Sequence, residues 1–166
     1  MDKIYILCVD DESDVLRSVT RDLAELEDAF PIETAASADE ADRQIDRVFE
    51  RGDRVGLVLC DHVMPGRNGV DFLIELRKRP ELELTRKVLF TGQAGHEDTV
   101  QAINRAGITH YVAKPWKRED LLAVARDELT DYVIDAGVDP LAYMKYLDKG
   151  RLAEHVHRQN RTHTGQ

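Results

Sequence analysis

Apolar and polar positions along this chain fall into blocks that alternate between strand-like and helix-like spacing. From Lys3 to Val9 runs an apolar stretch that stops abruptly at Asp10-Asp11-Glu12. Val15, Leu16, Val19, Leu23 and Leu26 follow at spacings that line one face of a helix. Ile32 to Ala36 reads as a short strand. Ser37 then stands three residues before Glu40, a capping-box spacing for a helix carrying Ala41, Ile45, Val48 and Phe49. Val55 to Cys60 is a further apolar run, and it too ends on an acid, Asp61.

Pro65, Gly66 and Gly69 mark a loop, after which a helix turns Val70, Leu73 and Ile74 inward until Pro80 stops it. Lys87 to Phe90 predicts a fourth strand, ending at Thr91-Gly92. A helix around His96 to Ala106 closes at Gly107. Thr109 to Ala113 predicts a fifth strand, ending at Lys114-Pro115. The last clear helix begins near Arg118-Glu119-Asp120, whose acids suit the positive end of its dipole. Five strands, each followed by a helix, imply an α/β fold with a parallel sheet covered on both faces.

A length of 166 residues suits one well-buried domain with a short extension. The formal net charge of −9 argues against a polyanion as main partner, so no direct nucleic-acid binding is expected. No stretch approaches the length of apolar sequence that a membrane-spanning helix needs. The N-terminus lacks the length and cleavage site of a signal peptide and reads as a strand. Cys8 and Cys60 each lie at the end of an apolar run and read as reduced, buried thiols.

Ligands of open α/β sheets bind outside the carboxyl ends of the strands. Here those ends carry Asp10, Asp11, Asp61, Thr91 and Lys114. Structure alone does not call for such a cluster, because carboxylates about 4 Å apart repel by roughly 4 kcal/mol at an effective dielectric near 20. A hard divalent cation resolves the repulsion, and Mg²⁺ favours a few carboxylates plus water and phosphate oxygens. A carboxylate is also a nucleophile toward phosphorus, and phosphoryl transfer needs positioning and charge neutralisation above all.

Asp10-Asp11, the run Asp61-His62-Val63-Met64-Pro65-Gly66, Thr91-Gly92 and Lys114-Pro115 together resemble the receiver domain of two-component response regulators. The resemblance spans residues 3–134. It implies a flavodoxin-like, doubly wound sheet of order 2-1-3-4-5, and a phosphoryl group accepted on Asp61 from a sensor histidine kinase or a histidine phosphotransfer protein. It implies Mg²⁺ held by Asp10, Asp11, Asp61 and the Val63 backbone carbonyl, with Thr91 and Lys114 on the phosphoryl oxygens. A cis peptide bond between Lys114 and Pro115 is implied as well, and so are Thr91 and Tyr111 as switch residues. The output would be a downstream protein or an output domain absent from this chain. The implied surface is the helix around 96–106, the fifth strand and the helix from 118; a homodimer through it, or through the extended last helix, stays open. The implied setting is cytoplasmic, and self-phosphorylation and self-dephosphorylation are the only chemistry implied. Two positions depart from the commonest pattern: Val63 replaces a polar side chain, and Gln93 is a milder change.

Two other functions compete. A haloacid-dehalogenase-type phosphohydrolase needs a second aspartate two residues after its nucleophile, but Asp61 is followed there by Val63 and Asp10 by Glu12. A phosphate-independent interaction module typically loses the acceptor, an acid or the lysine, and all are present. Nucleotide binding is weaker still, since no glycine-rich loop follows the first strand.

Residues 135–166 read as a helical extension with a polar tail, a helix carrying Leu141, Tyr143, Met144, Tyr146 and Leu147 and then fraying into solvent. Leu122, Ala125, Leu129, Tyr132 and Ala136 follow a heptad-like spacing that serves a dimer seam, a signalling helix or packing within the chain equally well.

Overall fold

The structure is a computed structural model, and it describes residues 1–92, 100 and 104–165. Five parallel strands form one sheet: β1 (Ile4–Val9), β2 (Ile32–Ala35), β3 (Arg54–Asp61), β4 (Arg86–Thr91) and β5 (His110–Ala113), in the order β2-β1-β3-β4-β5. The helices are α1 (Ser13–Asp22), α2 (Ala38–Glu50), α3 (Gly69–Arg77), α4 (Arg118–Asp135) and α5 (Lys149–His163). Most of the helix expected around His96 to Ala106 lies outside the described residues, as does Gln93.

Alternation along the strands sorts the core into two layers. Ile4, Ile6, Cys8, Leu57, Leu59, Val88 and Phe90 pack on one face with residues of α1 and α4. Tyr5, Leu7, Val9, Val58, Cys60 and Leu89 pack on the other with residues of α2 and α3. Both faces being covered, β1 is buried at every position, which is why it reads as an unbroken apolar run.

Local details differ from the sequence expectation in three places. The first helix stops at Asp22, and Leu26 belongs to a separate 3₁₀ turn, Ala24–Leu26. Ser37 caps α2 by accepting from the Glu40 amide, but Glu40 reaches back to the Ala36 amide, one residue beyond the usual box. In α3 the buried side chains are Phe72, Leu73 and Leu76, whereas Val70 and Ile74 are only partly covered. The helix starts at Gly69, pressed against the end of β3, and that contact sets its rotation.

The stretch after Ala136 does not fray at once. A 3₁₀ turn, Pro140–Tyr143, leads into α5. Tyr143, Leu147 and Leu152 join the same buried layer as α1 and α4, with Tyr143 stacked on Phe30 at 5.0 Å between ring centroids. Leu122, Ala125, Leu129 and Tyr132 of the heptad-like row are buried in that layer too. From His157 to Gly165 the side chains are exposed.

Candidate functional site

The site forms because three strand ends meet at one edge. β1 leads into Asp10, whose amide donates to the Ala35 carbonyl at 3.1 Å and keeps it in line with the sheet. Asp61 is the last residue of β3, and the chain stays tied to the neighbouring strand one residue on, where the His62 amide donates to Phe90. Lys114 follows β5, its amide donating to the Thr91 carbonyl at 2.8 Å. The Lys114–Pro115 peptide bond is cis.

These elements bring Asp10, Asp11 and Asp61 together, with one carboxylate oxygen from each inside a span of 4.8 Å. Asp10 and Asp61 are only 1% and 8% exposed, while Asp11 is open to solvent. The Lys114 ammonium donates to Asp10 at 2.7 Å and to Asp61 at 2.9 Å, and it lies 6.0 Å from the centre of the Phe90 ring. A second Asp10 oxygen accepts from the Glu12 amide at 2.8 Å.

Burial pushes the Asp61 carboxyl above its ordinary range; the Lys114 hydrogen bond pulls it partly back, and the Asp10 charge pushes it up again. For Lys114, burial works against the ammonium, but the hydrogen bonds to Asp10 and Asp61 outweigh it and the amine is held above its usual value. One lysine among three acids leaves negative charge uncompensated. Hard oxygen donors this close, one of them solvent-facing, fit a hard divalent cation that keeps some of its water.

Thr91 is buried at the end of β4 beside this cluster. Tyr111 is half-buried on β5 against the α2–α3 layer, and burial raises its phenol. The Val63 side chain is 75% exposed, so it lies out of the core beyond the end of β3. His62 is half-buried, and Cys8 and Cys60 are free and fully covered. Burial pushes the Cys8 thiol up to about 12 and the Cys60 thiol upward too, which makes both poor nucleophiles.

Three residues make contacts around the site that sequence reasoning does not show. A Cβ on Gly69 would sit 1.8 Å from the Asp61 carbonyl oxygen, so only glycine lets α3 begin this close to the end of β3. The Trp116 indole donates to the buried Asp22 carboxylate at 2.9 Å, and its ring lies 5.0 Å from that of Phe90. That bond ties the turn after Lys114 to α1. An acid one turn after Val19 on the inward side of α1 was the available signal. Arg67 holds the loop after Asp61, as described below.

Residues 6–126 match the family described as response regulator receiver domain. The hydrogenase transcriptional regulatory protein HoxA of Cupriavidus necator is 37% identical over 125 residues, 73% of this chain and 23% of that protein. The chemotaxis protein CheY of Halobacterium salinarum is 29% identical over 127 residues, covering 75% of this chain and 96% of that one. A receiver domain protein (CheY-like) from Methanospirillum hungatei superposes with a TM-score of 0.66 at 29% identity, covering 81% and 99% of the two chains. The chain spans about a quarter of the length of the HoxA relatives it matches. No helix among the described residues is long and apolar enough to cross a membrane. The family match over most of the chain, the strand order and the acidic strand-end site agree: the chain belongs to the response regulator receiver family.

Proposed function

We propose that this protein is a phosphorylation switch in which Asp61 takes a phosphoryl group from a phosphohistidine on a sensor kinase or phosphotransfer protein. The observation that carries this reading is the gathering of Asp10, Asp11 and Asp61 within 4.8 Å, with Lys114 bonded to two of them. An Asp61 oxygen forms the new bond to phosphorus as the phosphorus–nitrogen bond of the donor breaks, and the electron pair stays on the imidazole. Asp10, Asp11, Asp61 and the Val63 carbonyl would hold Mg²⁺, which when bound offsets the charge of the phosphoryl oxygens. Lys114 exchanges its bond to Asp61 for one to a phosphoryl oxygen, and the Thr91 hydroxyl donates to another. Tyr111, adjacent on β5, follows Thr91 and reports the change at the surface.

Residues 3–134 carry the switch, and 135–166 form an extension that braces it. The protein acts on no external substrate; its target is a downstream protein or an output domain outside this chain, reached by protein contact in the cytoplasm. The formal charge of −9 supports a protein over a nucleic-acid target. The face of β5 and α4 is where a second copy would pair, since the heptad-like row of the extended last helix packs within the chain.

Intact mass after incubation with a small phosphodonor, with and without Mg²⁺, tests the reading. A single Mg²⁺-dependent adduct that disappears in Asp61→Asn is expected. An adduct that persists in the variant removes Asp61 as acceptor. No adduct under any condition leaves a phosphate-independent interaction module.

A further inference from the structure

The loop after Asp61 is closed at its base and open along its length. The Gly69 amide donates to the His62 carbonyl at 2.9 Å, and Asn68 caps α3 by accepting from the Asp71 amide. Among the described residues, no backbone hydrogen bond reaches residues 63–67. Two side chains hold that span. Met64 is buried in the α2–α3 layer, and Arg67 reaches across to α2. One guanidinium nitrogen of Arg67 donates to Asp39 at 3.0 Å and to Asp42 at 2.7 Å, and the other pairs with Glu75 of α3. The guanidinium also lies over the Phe72 ring, 5.4 Å from its centre.

We infer that Arg67 is a positioning residue for Mg²⁺: by pinning residues 63–67 to α2 and α3, it fixes where the Val63 carbonyl points. The inference rests on the metal reading of the preceding section. A single exposed ion pair contributes little. Here one planar fork, itself only 23% exposed, engages three acids on two helices, and a lysine's single ammonium does not span them. The carbonyl is a main-chain group, so no side-chain substitution at Val63 replaces the role of the pin.

Charge and position make opposite forecasts. Removing a cation near a metal site tightens Mg²⁺ by electrostatics alone. Losing the pin weakens it, because a ligand that must be ordered on binding costs conformational entropy. The test is calorimetric titration of the full chain with Mg²⁺ alone, comparing wild type, Arg67→Met and Arg67→Lys, with thermal unfolding recorded in the absence of metal. Arg67→Met should raise the half-saturating Mg²⁺ concentration about fivefold to tenfold. Arg67→Lys, which keeps the charge, should raise it about twofold to threefold. Exchange of the Gly69 and Asp71 amides, which close the end of the loop through the His62 carbonyl and the Asn68 side chain, should quicken in both, with exchange in β3 unchanged. A half-saturating concentration in Arg67→Met at or below that of wild type overturns the inference. If Arg67→Met does not fold, the Arg67→Lys titration decides by the same criterion. A wild type that binds no Mg²⁺ overturns the metal reading and the inference with it, a result distinct from variants that match a wild type that binds.

Discussion

At the carboxyl edge of the sheet, charged side chains are drawn together over an apolar base. Asp10 and Asp61 are almost fully covered, and the Lys114 ammonium bonds both. In the stretch after Ala136 the arrangement is turned inside out. Tyr143, Leu147 and Leu152 enter the core, while Arg151 reaches back along the outside to Asp127 and Asp131 of α4. Arg126 adds two bonds on that side, to Glu25 at 2.7 Å and to the Tyr146 carbonyl at 3.2 Å. The first region gathers buried carboxylates against one ammonium, an electrostatic cost that the proposed Mg²⁺ would relieve. The second pairs Arg151 with two acids of α4 and covers Tyr143, Leu147 and Leu152, leaving Leu141 exposed. On the proposed reading the site is the part of the molecule that changes state, and the extension belongs to the packed body around it.

The sharpest way to break that division is Gly69→Ala, which should injure chemistry and stability together. The added methyl meets the Asp61 carbonyl at 1.8 Å, and that atom is backbone at the end of a central strand, so either β3 or α3 must move. The expected cost is about 2–4 kcal/mol in denaturant unfolding. Phosphorylation should slow by about tenfold or more, since small displacements of a nucleophile are costly. A variant as stable and as fast as wild type would show that α3 can retreat without disturbing the acceptor.

Leu152→Ala should show the opposite pattern, a stability loss with the chemistry spared. Leu152 is fully buried, and truncating such a residue costs about 2–5 kcal/mol. Per folded molecule, the rate of phosphodonor labelling should match wild type. A cost under about 0.5 kcal/mol, the range of neutral surface changes, would mean that the extension leaves the core in solution.

These two residues also mark what was legible in the sequence. Strand ends were legible because doubly buried strands read as unbroken apolar runs, and each run broke at a residue of the candidate site: Asp10, Asp61, Thr91 and Lys114. The packing of the extension was not. Tyr143 ends a 3₁₀ turn, Leu147 lies in the bend after it and Leu152 is in a helix, so they make no single helical period. Their partners are no clearer. Phe30 sits in a loop, and α4 is buried on several sides at once, with Glu128 and Thr130 covered along with its leucines. Glu128 is buried because Arg86 and Thr109 bond to it at 2.8 and 2.7 Å, contacts that exist only once β4 and β5 lie beside α4. Gly69 and Arg67 failed for a related reason. A glycine in a loop reads as a turn and an arginine as solvated surface, and only the assembled helices show what each one touches.

The smallest expected effect concerns the electrostatic cost assigned to the site. Burial raises the Asp61 carboxyl, against the Lys114 hydrogen bond and with the push of Asp10, so the folded chain binds this proton more readily than the unfolded chain. Stability attached to this group therefore falls as pH rises above the ordinary carboxylate value near 4, and the whole cost is present once the pH exceeds the raised folded value. Asp61→Asn removes that cost and leaves Lys114 its bond to Asp10. Without metal the variant should melt a few degrees above wild type at pH 7, and the two curves should converge as pH approaches about 4. Saturating Mg²⁺ should reverse the order, because a ligand that binds only the folded wild type adds to its stability. If the variant melts below wild type at pH 7 without metal, the Lys114 bond to Asp61 outweighs the burial cost. The site would then be held by the same paired charges as the extension, and the contrast between the two regions would disappear.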